Sequence, residues 1–122
     1  MSDSVLGIDH VQIAVPVDSE SAARAFYLDL LGFREIARPL TGVGRSFLWV
    51  AAGDQQMHFR PDPEFRPAQF AHPGFLVRDL ADLAARLEAA GHTVTSEQSV
   101  GPGRFHVRDP FGNRLEFIES PT

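Results

Sequence analysis

Cysteine is absent from the 122-residue chain. Disulfides, thiolate metal sites and a cysteine nucleophile are therefore excluded, and the composition is compatible with a reducing cytoplasm, where we expect the protein to act. Long apolar runs are lacking too, since no stretch approaches the roughly 18 residues of a membrane helix, and the start of the chain has no signal-peptide pattern. We therefore expect a soluble, unexported protein with no membrane partner.

Basic residues are outnumbered by acidic ones. The chain has 11 Lys+Arg against 16 Asp+Glu, which gives a formal net charge of -5. A nucleic-acid-binding surface needs a basic face against the phosphates, so we expect no nucleic-acid partner. The length suits one domain with a single core.

The sequence contains an internal repeat. Residues 8–18 and 70–80 each read as a short apolar strand that is entered through a histidine, His10 or His72, and left toward an acidic residue. Equivalent positions in a duplicated unit occupy equivalent places on two related sheets. If the two sheets face each other, the two histidines converge on one point.

Each repeated strand leads into an amphipathic helical segment and then into further strand-like runs. A stretch with three prolines, residues 61–67, can continue neither a helix nor a central strand and is predicted to connect the halves. The pattern predicts an α+β fold of two βαββ modules, about 5–60 and 70–119, within a single domain that covers residues 1–122.

The ends of the two helices are predicted from capping residues. Asp18 or Ser19 is placed to cap the first helix, and Gly32 is placed to end it. In the second module Asp79 is the predicted cap and Gly91 the predicted stop.

Strand alternation assigns side chains to the two faces of each sheet. If Met57 and Phe59 face the helix, His58 and Arg60 face the other way. A polar sheet face is often simply hydrated, yet this one collects four of the five histidines and a carboxylate. Imidazole and carboxylate together suit divalent Mn, Fe, Co, Ni or Zn and leave coordination positions open to substrate. The residues concerned are His10, His58, His72, His106 and Glu116.

Aromatic and arginine side chains are candidates for substrate binding. Phe47 and Trp49 share one face of their strand, where they either line the site or belong to the core. Strand alternation places Arg60 and Arg104 on the same face as the histidines. They either clamp a carboxylate or phosphonate of the substrate or lie at a hydrated rim.

Four segments carry a resemblance to the vicinal oxygen chelate superfamily: residues 8–16, 25–33, 72–80 and 107–119. This superfamily includes glyoxalase I, extradiol dioxygenases, fosfomycin-resistance transferases and bleomycin-binding proteins. The resemblance implies two βαββ modules whose sheets curve into a mixed-sheet cup, with helices outside and a metal inside.

The resemblance also implies a site. The ligand positions of metal-dependent members match His10, His58, His72 and Glu116. Glyoxalase I typically has a carboxylate at the position of His58, so this histidine is either a fourth ligand or a neighbouring acid or base. Glu116, assisted by His58 or His106, would carry the proton transfer. The identity of the metal is open among Fe, Mn, Ni, Co and Zn.

The leading functional hypothesis is a small, metal-dependent, glyoxalase-like lyase or isomerase that chelates the oxygens of a small-molecule substrate. The alternatives are a non-catalytic binding or resistance protein and an extradiol-type dioxygenase. A fosfomycin-type transfer is disfavoured because residues 96–103 lack a cluster of basic and hydroxyl side chains. The family pairs modules within or between chains, so we expect a homodimer.

Overall fold

A computed structural model of the protein describes residues 4–39, 46–96 and 103–121. The chain divides into two compact units, Met1–Phe65 and Arg66–Thr122. Each unit contains one four-stranded sheet of mixed strand direction. The predicted α+β class with two related modules is therefore confirmed.

The first unit has its sheet in the order β1-β4-β3-β2. Strand β1 runs parallel to β4, and the other pairs are antiparallel. The order of elements is βαβββ, which has one short strand, at Arg34–Ile36, more than a βαββ module. The elements are β1 (His10–Val15), α1 (Glu20–Ala23) continued by a π-helix (Arg24–Leu30), β2 (Arg34–Ile36), β3 (Leu48–Ala52) and β4 (Gln55–Pro61).

The first helix differs from the prediction in two ways. Ser19 precedes it, but its hydroxyl donates to the Pro16 carbonyl at 2.6 Å and no side chain caps the helix. From Arg24 onward the turns are π-helical, with Leu31 N–H donating to the Phe26 carbonyl five residues back. The predicted stop is confirmed, since Gly32 has a φ of +81°.

The core of the first unit lies between this helix and one face of the sheet. Its largest fully buried side chains include Tyr27 and Phe59, whose ring centroids are 4.4 Å apart. Met57 is also buried, as the predicted parity requires. Burial of His58 to 4% exposure shows that the other face is covered there as well.

The second unit repeats this arrangement with the sheet order β5-β8-β7-β6. Strand β5 is parallel to β8. Leu83 and Leu87 of the helix are buried together with inward-facing residues of β7 and β8. The elements are β5 (Gly74–Val77), α2 (Leu80–Ala89), β6 (Thr95–Ser96), β7 (Arg104–Arg108) and β8 (Arg114–Glu119).

Helix α2 begins and ends as the sequence predicts. The Asp79 carboxylate accepts a hydrogen bond from Asp82 N–H at 3.1 Å, and Gly91 follows the helix with a φ of +93°. The Glu119 carboxylate also accepts from Leu80 N–H at 2.9 Å, so strand β8 helps to cap the helix. In the described part of the chain, every helix is too short or too polar to cross a membrane.

Candidate metal centre

Three potential metal ligands come together in the second unit. Nε2 of His72 lies 2.9 Å from Oε1 of Glu116, and Nε2 of His106 lies 3.8 Å from the same oxygen. One ligand atom from each of the three residues lies within 4.8 Å of the others. The Glu116 side chain is only 12% exposed, and that of His106 is 14% exposed. The cluster is therefore sheltered from water, with His72 at its more open side.

The strand register explains why these side chains meet. Glu116 is the partner of His106 across the antiparallel β7–β8 pair, so the two side chains share a face. Across the parallel β5–β8 pair, Glu116 lies opposite Gly74. His72 lies two residues before Gly74, within reach of the Glu116 carboxylate.

The turn between β7 and β8 is held by a buried carboxylate. Asp109 is 4% exposed and accepts hydrogen bonds from Phe111 N–H at 2.9 Å and Asn113 N–H at 2.8 Å. Residues 109–113 therefore form a tight turn, in which Gly112 has a φ of +97°. This turn fixes the register that brings His106 opposite Glu116.

Arg104 completes the surroundings of Glu116. Its Nη1 donates to Oε2 of Glu116 at 2.9 Å, which leaves Oε1 to face the two histidines. Burial, the largest single influence, opposes ionisation of the carboxyl. Hydrogen bonds from His72 and Arg104 and the nearby charge of His106 outweigh it, so the pKa of Glu116 lies below its ordinary value. Glu116 is therefore an anion at neutral pH.

The donor set fits a divalent transition metal. His72 Nδ1 lies 2.7 Å from the Phe70 carbonyl, which can only accept, so Nδ1 carries a proton and Nε2 is the nitrogen available to a metal. Two donors that each bond one ion at about 2.0–2.2 Å lie roughly 3 Å apart in neighbouring coordination positions. The 2.9 Å separation of His72 Nε2 and Glu116 Oε1 meets this requirement.

Three aromatic rings stack in the first unit. The His58 ring lies face to face with Trp49, with centroids 3.7 Å apart and planes inclined by 3°. The His10 ring stacks on His58 at 4.2 Å with an inclination of 17°. Strand β4 lies between β1 and β3, so His58 is the middle ring of the three.

Ring nitrogen atoms of His10 and His58 form hydrogen bonds at the edges of the stack. Nδ1 of His10 donates to the Asp9 carboxylate at 2.9 Å, so Nε2 is the His10 nitrogen that remains available to a metal. Nε2 of His58 lies 3.1 Å from the Gln56 side-chain oxygen. Burial and the charge of His10 lower the pKa of His58, against the opposing effect of Asp9. His58 is therefore neutral at pH 7.

The candidate substrate-binding residues have different surroundings. Phe47 is half-buried, and Trp49 lies against His58 on the face opposite buried Leu48. Arg104 is engaged by Glu116 in the second unit. Arg60 is exposed and borders an open groove of about 380 Å³, lined by Gln12, Ile13, Ala14, Arg60, Pro61, Asp62 and Pro63.

The structure brings the predicted site residues together as two groups, one in each unit. His10 contacts His58, and His72 contacts Glu116. The convergence of His10 with His72 stays a prediction. Sequence reasoning placed His106 on the correct face, but the resemblance matched no ligand position to it; its pairing with Glu116 in two adjacent predicted strands was the available signal. Residues 97–102, on which the argument against a fosfomycin-type transfer depends, lie outside the described ranges.

Comparison with known proteins places these features in a family. The profile of the Glyoxalase/Bleomycin resistance protein/Dioxygenase superfamily matches residues 7–117. Glutathione transferase FosA from Serratia marcescens is 31% identical over 114 residues, which cover 89% of this chain and 77% of that protein.

Solved structures agree with the sequence match. A glyoxalase family protein from Bacillus anthracis is 40% identical, with a TM-score of 0.90 over 98% of this chain and 99% of that chain. The fosfomycin resistance protein FosX from Listeria monocytogenes, solved as a mutant with Mn(II) and 1S,2S-dihydroxypropylphosphonic acid, has a TM-score of 0.78. This match covers 95% of the present chain and 93% of the FosX chain. The two sequences are only 12% identical, so the match shows a shared fold alone. The chain therefore belongs to the glyoxalase/bleomycin resistance protein/dioxygenase superfamily, the vicinal oxygen chelate proteins.

Proposed function

We propose that this protein is a metal-dependent enzyme that binds a small substrate through its oxygen atoms at a divalent metal. The observation that carries the proposal is the contact of His72 Nε2 with Glu116 Oε1 at 2.9 Å, beside His106 and in a sheltered setting. His72 and Glu116 would be ligands, and the resemblance implies that His10 would be a third, which stays a prediction. The native metal is one of Fe, Mn, Ni, Co and Zn.

A divalent ion held there would supply Lewis acidity that stabilises negative charge on substrate oxygens. The protein's own groups would handle protons and orientation. Oε1 of Glu116, kept ionised beside Arg104, is able to accept a proton, and His106 at 3.8 Å is close enough to exchange one with it through a small movement. Arg60, exposed at its groove, is suited to an anionic group on the substrate.

These groups fit a glyoxalase-like lyase or isomerase, in which a proton moves between neighbouring carbon atoms of a chelated substrate. A second candidate is addition of glutathione to a chelated substrate, because the relative that is 31% identical is a glutathione transferase. Extradiol-type oxygenation and binding without turnover are the remaining alternatives. Retention of a histidine and carboxylate donor set argues against simple sequestration.

The test is metal reconstitution followed by a substrate panel. Protein without a histidine tag is loaded anaerobically with Mn, Fe, Co, Ni or Zn and assayed with methylglyoxal–glutathione hemithioacetal, catechols, and fosfomycin with glutathione. We expect turnover with one substrate class, and a loss of roughly a hundredfold or more in Glu116→Gln. His92→Gln is the control, since this residue lies on neither histidine face considered above.

Two outcomes would contradict the proposal. Retention of less than about a tenth of an equivalent of every metal would reject the metal centre. Full metal loading with tight binding of a panel compound and no turnover would instead show a sequestering protein.

We also infer that the protein forms a homodimer. Large apolar side chains near the two repeated strands are 66% to 93% exposed: Val5, Leu6, Ile8, Phe70 and Leu76. Apolar surface of this extent favours a protein interface. Light scattering at micromolar concentration should give twice the chain mass of 13.4 kDa, and a monomeric mass would contradict the inference. The cytoplasmic location stays a prediction.

A further inference from the structure

The three-ring stack in the first unit restricts what His58 can do. Metal ligation uses an imidazole lone pair, which lies in the plane of its ring, so a bound ion also lies near that plane. The His10 and His58 rings are nearly parallel, with centroids 4.2 Å apart and planes inclined by only 17°. An ion in the plane of one ring is therefore roughly 3–4 Å from the plane of the other, well beyond a bond of about 2.0–2.1 Å.

The hydrogen bonds give the two rings different tasks. His10 has Nδ1 occupied by Asp9, and its side chain is 44% exposed, so Nε2 is accessible to an ion. His58 is buried between two rings and contacts the Gln56 side-chain oxygen through Nε2. One face of the His58 ring packs against His10, and the other face packs against Trp49.

Trp49 forms a fixed base for the stack. It is the cross-strand partner of His58, and their planes are inclined by 3°. The only tryptophan in the chain thus sets the plane of His58, and His58 in turn sets the plane of His10. Free rotation of the His10 ring about its side-chain bonds would break this stack.

We propose that His58 is a positioning residue, which holds the His10 imidazole in the orientation for metal binding by stacking it against Trp49, and is not itself a ligand. This proposal rests on the proposed function, because it takes His10 as a metal ligand. It differs from both roles that sequence reasoning left open for His58, a fourth ligand and a neighbouring acid or base. The aromatic ring of His58, rather than its nitrogen atoms, is then the required feature.

Two substitutions distinguish whether the aromatic ring of His58 or its nitrogen atoms are required for zinc binding. His58→Phe keeps a flat ring without any ligand atom, and His58→Gln keeps a polar group without a ring. Zinc is titrated into each purified protein by calorimetry. We expect His58→Phe to bind zinc within about twofold of the wild type, and His58→Gln to bind roughly two- to tenfold more weakly, in line with the strength of one aromatic pair.

Proton NMR of the metal-free protein detects the stacking itself, which does not depend on whether His58 is a metal ligand. In the wild type, nuclear Overhauser contacts should connect the His10 and His58 rings, with upfield shifts caused by stacking. His58→Phe should keep the upfield shift of the His10 ring, and His58→Gln should remove it. The wild-type spectrum needs no variant, so the stack is testable even if a substitution prevents folding.

Loss of zinc binding in His58→Phe as severe as that in His72→Gln would overturn the proposal and make His58 a ligand. Absence of contacts between the His10 and His58 rings in the wild type would also overturn it. If His72→Gln and Glu116→Gln both bind zinc like the wild type, the proposed metal centre fails instead. The NMR comparison would then still decide whether His58 orients His10.

Discussion

Nε2 of His72 lies 2.9 Å from Oε1 of Glu116, although 44 residues separate them in the chain. The other ring nitrogen, Nδ1, already donates to the Phe70 carbonyl at 2.7 Å. The contact between Nε2 and the carboxylate is a hydrogen bond only when one of these two atoms carries a proton. A metal ion bound by the same two atoms would have to displace that proton.

Zinc binding at the His72–Glu116 contact should accordingly be coupled to proton release. Calorimetric titrations in buffers of different ionisation enthalpy measure this release directly. The zinc affinity should also rise with pH, because the proton competes with the ion. Glu116→Gln is the matched variant, and its remaining zinc binding should be weaker. Zinc binding without proton release would contradict the arrangement of these two residues.

Glu116 should make the metal-free protein sensitive to acid. Its pKa is lowered in the folded protein from the ordinary value of 4.5, so the folded state prefers the ionised carboxylate. This contribution to the free energy of unfolding is present above pH 4.5 and is lost as the pH falls through the lowered pKa. Urea unfolding at several pH values should show a smaller acid loss in Glu116→Gln than in the wild type. If the free energy of unfolding falls equally steeply with decreasing pH in the two proteins, Glu116 is not the origin of this loss.

His58 should cause a second loss of stability on acidification, in a higher pH range than that of Glu116. Its pKa is lowered from 6.5, chiefly by burial, so the folded state disfavours the protonated ring. The unfolded chain binds more protons at this position, and the free energy of unfolding therefore falls as the pH drops from 6.5 through the lowered pKa. His58→Phe should lack this decrease in metal-free protein. A decrease that persists unchanged in His58→Phe would have to come from another histidine.

Asp109 should support the metal centre from a distance. Its buried carboxylate organises the β7–β8 turn, and Asp109→Ala would leave buried N–H groups without an acceptor. We expect a loss of about 1–3 kcal/mol in the free energy of unfolding, measured by urea denaturation. Asp109→Asn, which keeps one carbonyl oxygen, should lose less. A loss below about 0.5 kcal/mol in Asp109→Ala would show that the turn does not depend on this residue.

The fold of the second half was largely predictable because hydrophobic alternation is strong there. Buried side chains alternate with more exposed ones along Arg104–Arg108 and along residues 114–117. The π-helical turns at Arg24–Leu30 were not predicted, because an apolar stripe at spacings of three and four does not distinguish α from π turns over so short a segment.

The candidate site was predictable only as a set of side chains on one face. Alternation placed His106 and Glu116 together, since a period of two follows directly from strand geometry. It could not predict the hydrogen bond from Arg104 to Glu116 or the stacking of His58 on Trp49. These contacts depend on side-chain rotamers, which are set by the packing of neighbouring strands.

Anomalous diffraction from crystals grown with zinc tests the central claim most directly, because it locates the ion relative to individual atoms. We predict an anomalous peak at the zinc edge within about 2.0–2.2 Å of both His72 Nε2 and Glu116 Oε1, and a weaker peak in Glu116→Gln crystals grown in the same way. Crystals of the protein grown with zinc that show no peak at these two atoms, or a peak of undiminished height in Glu116→Gln, would contradict this prediction.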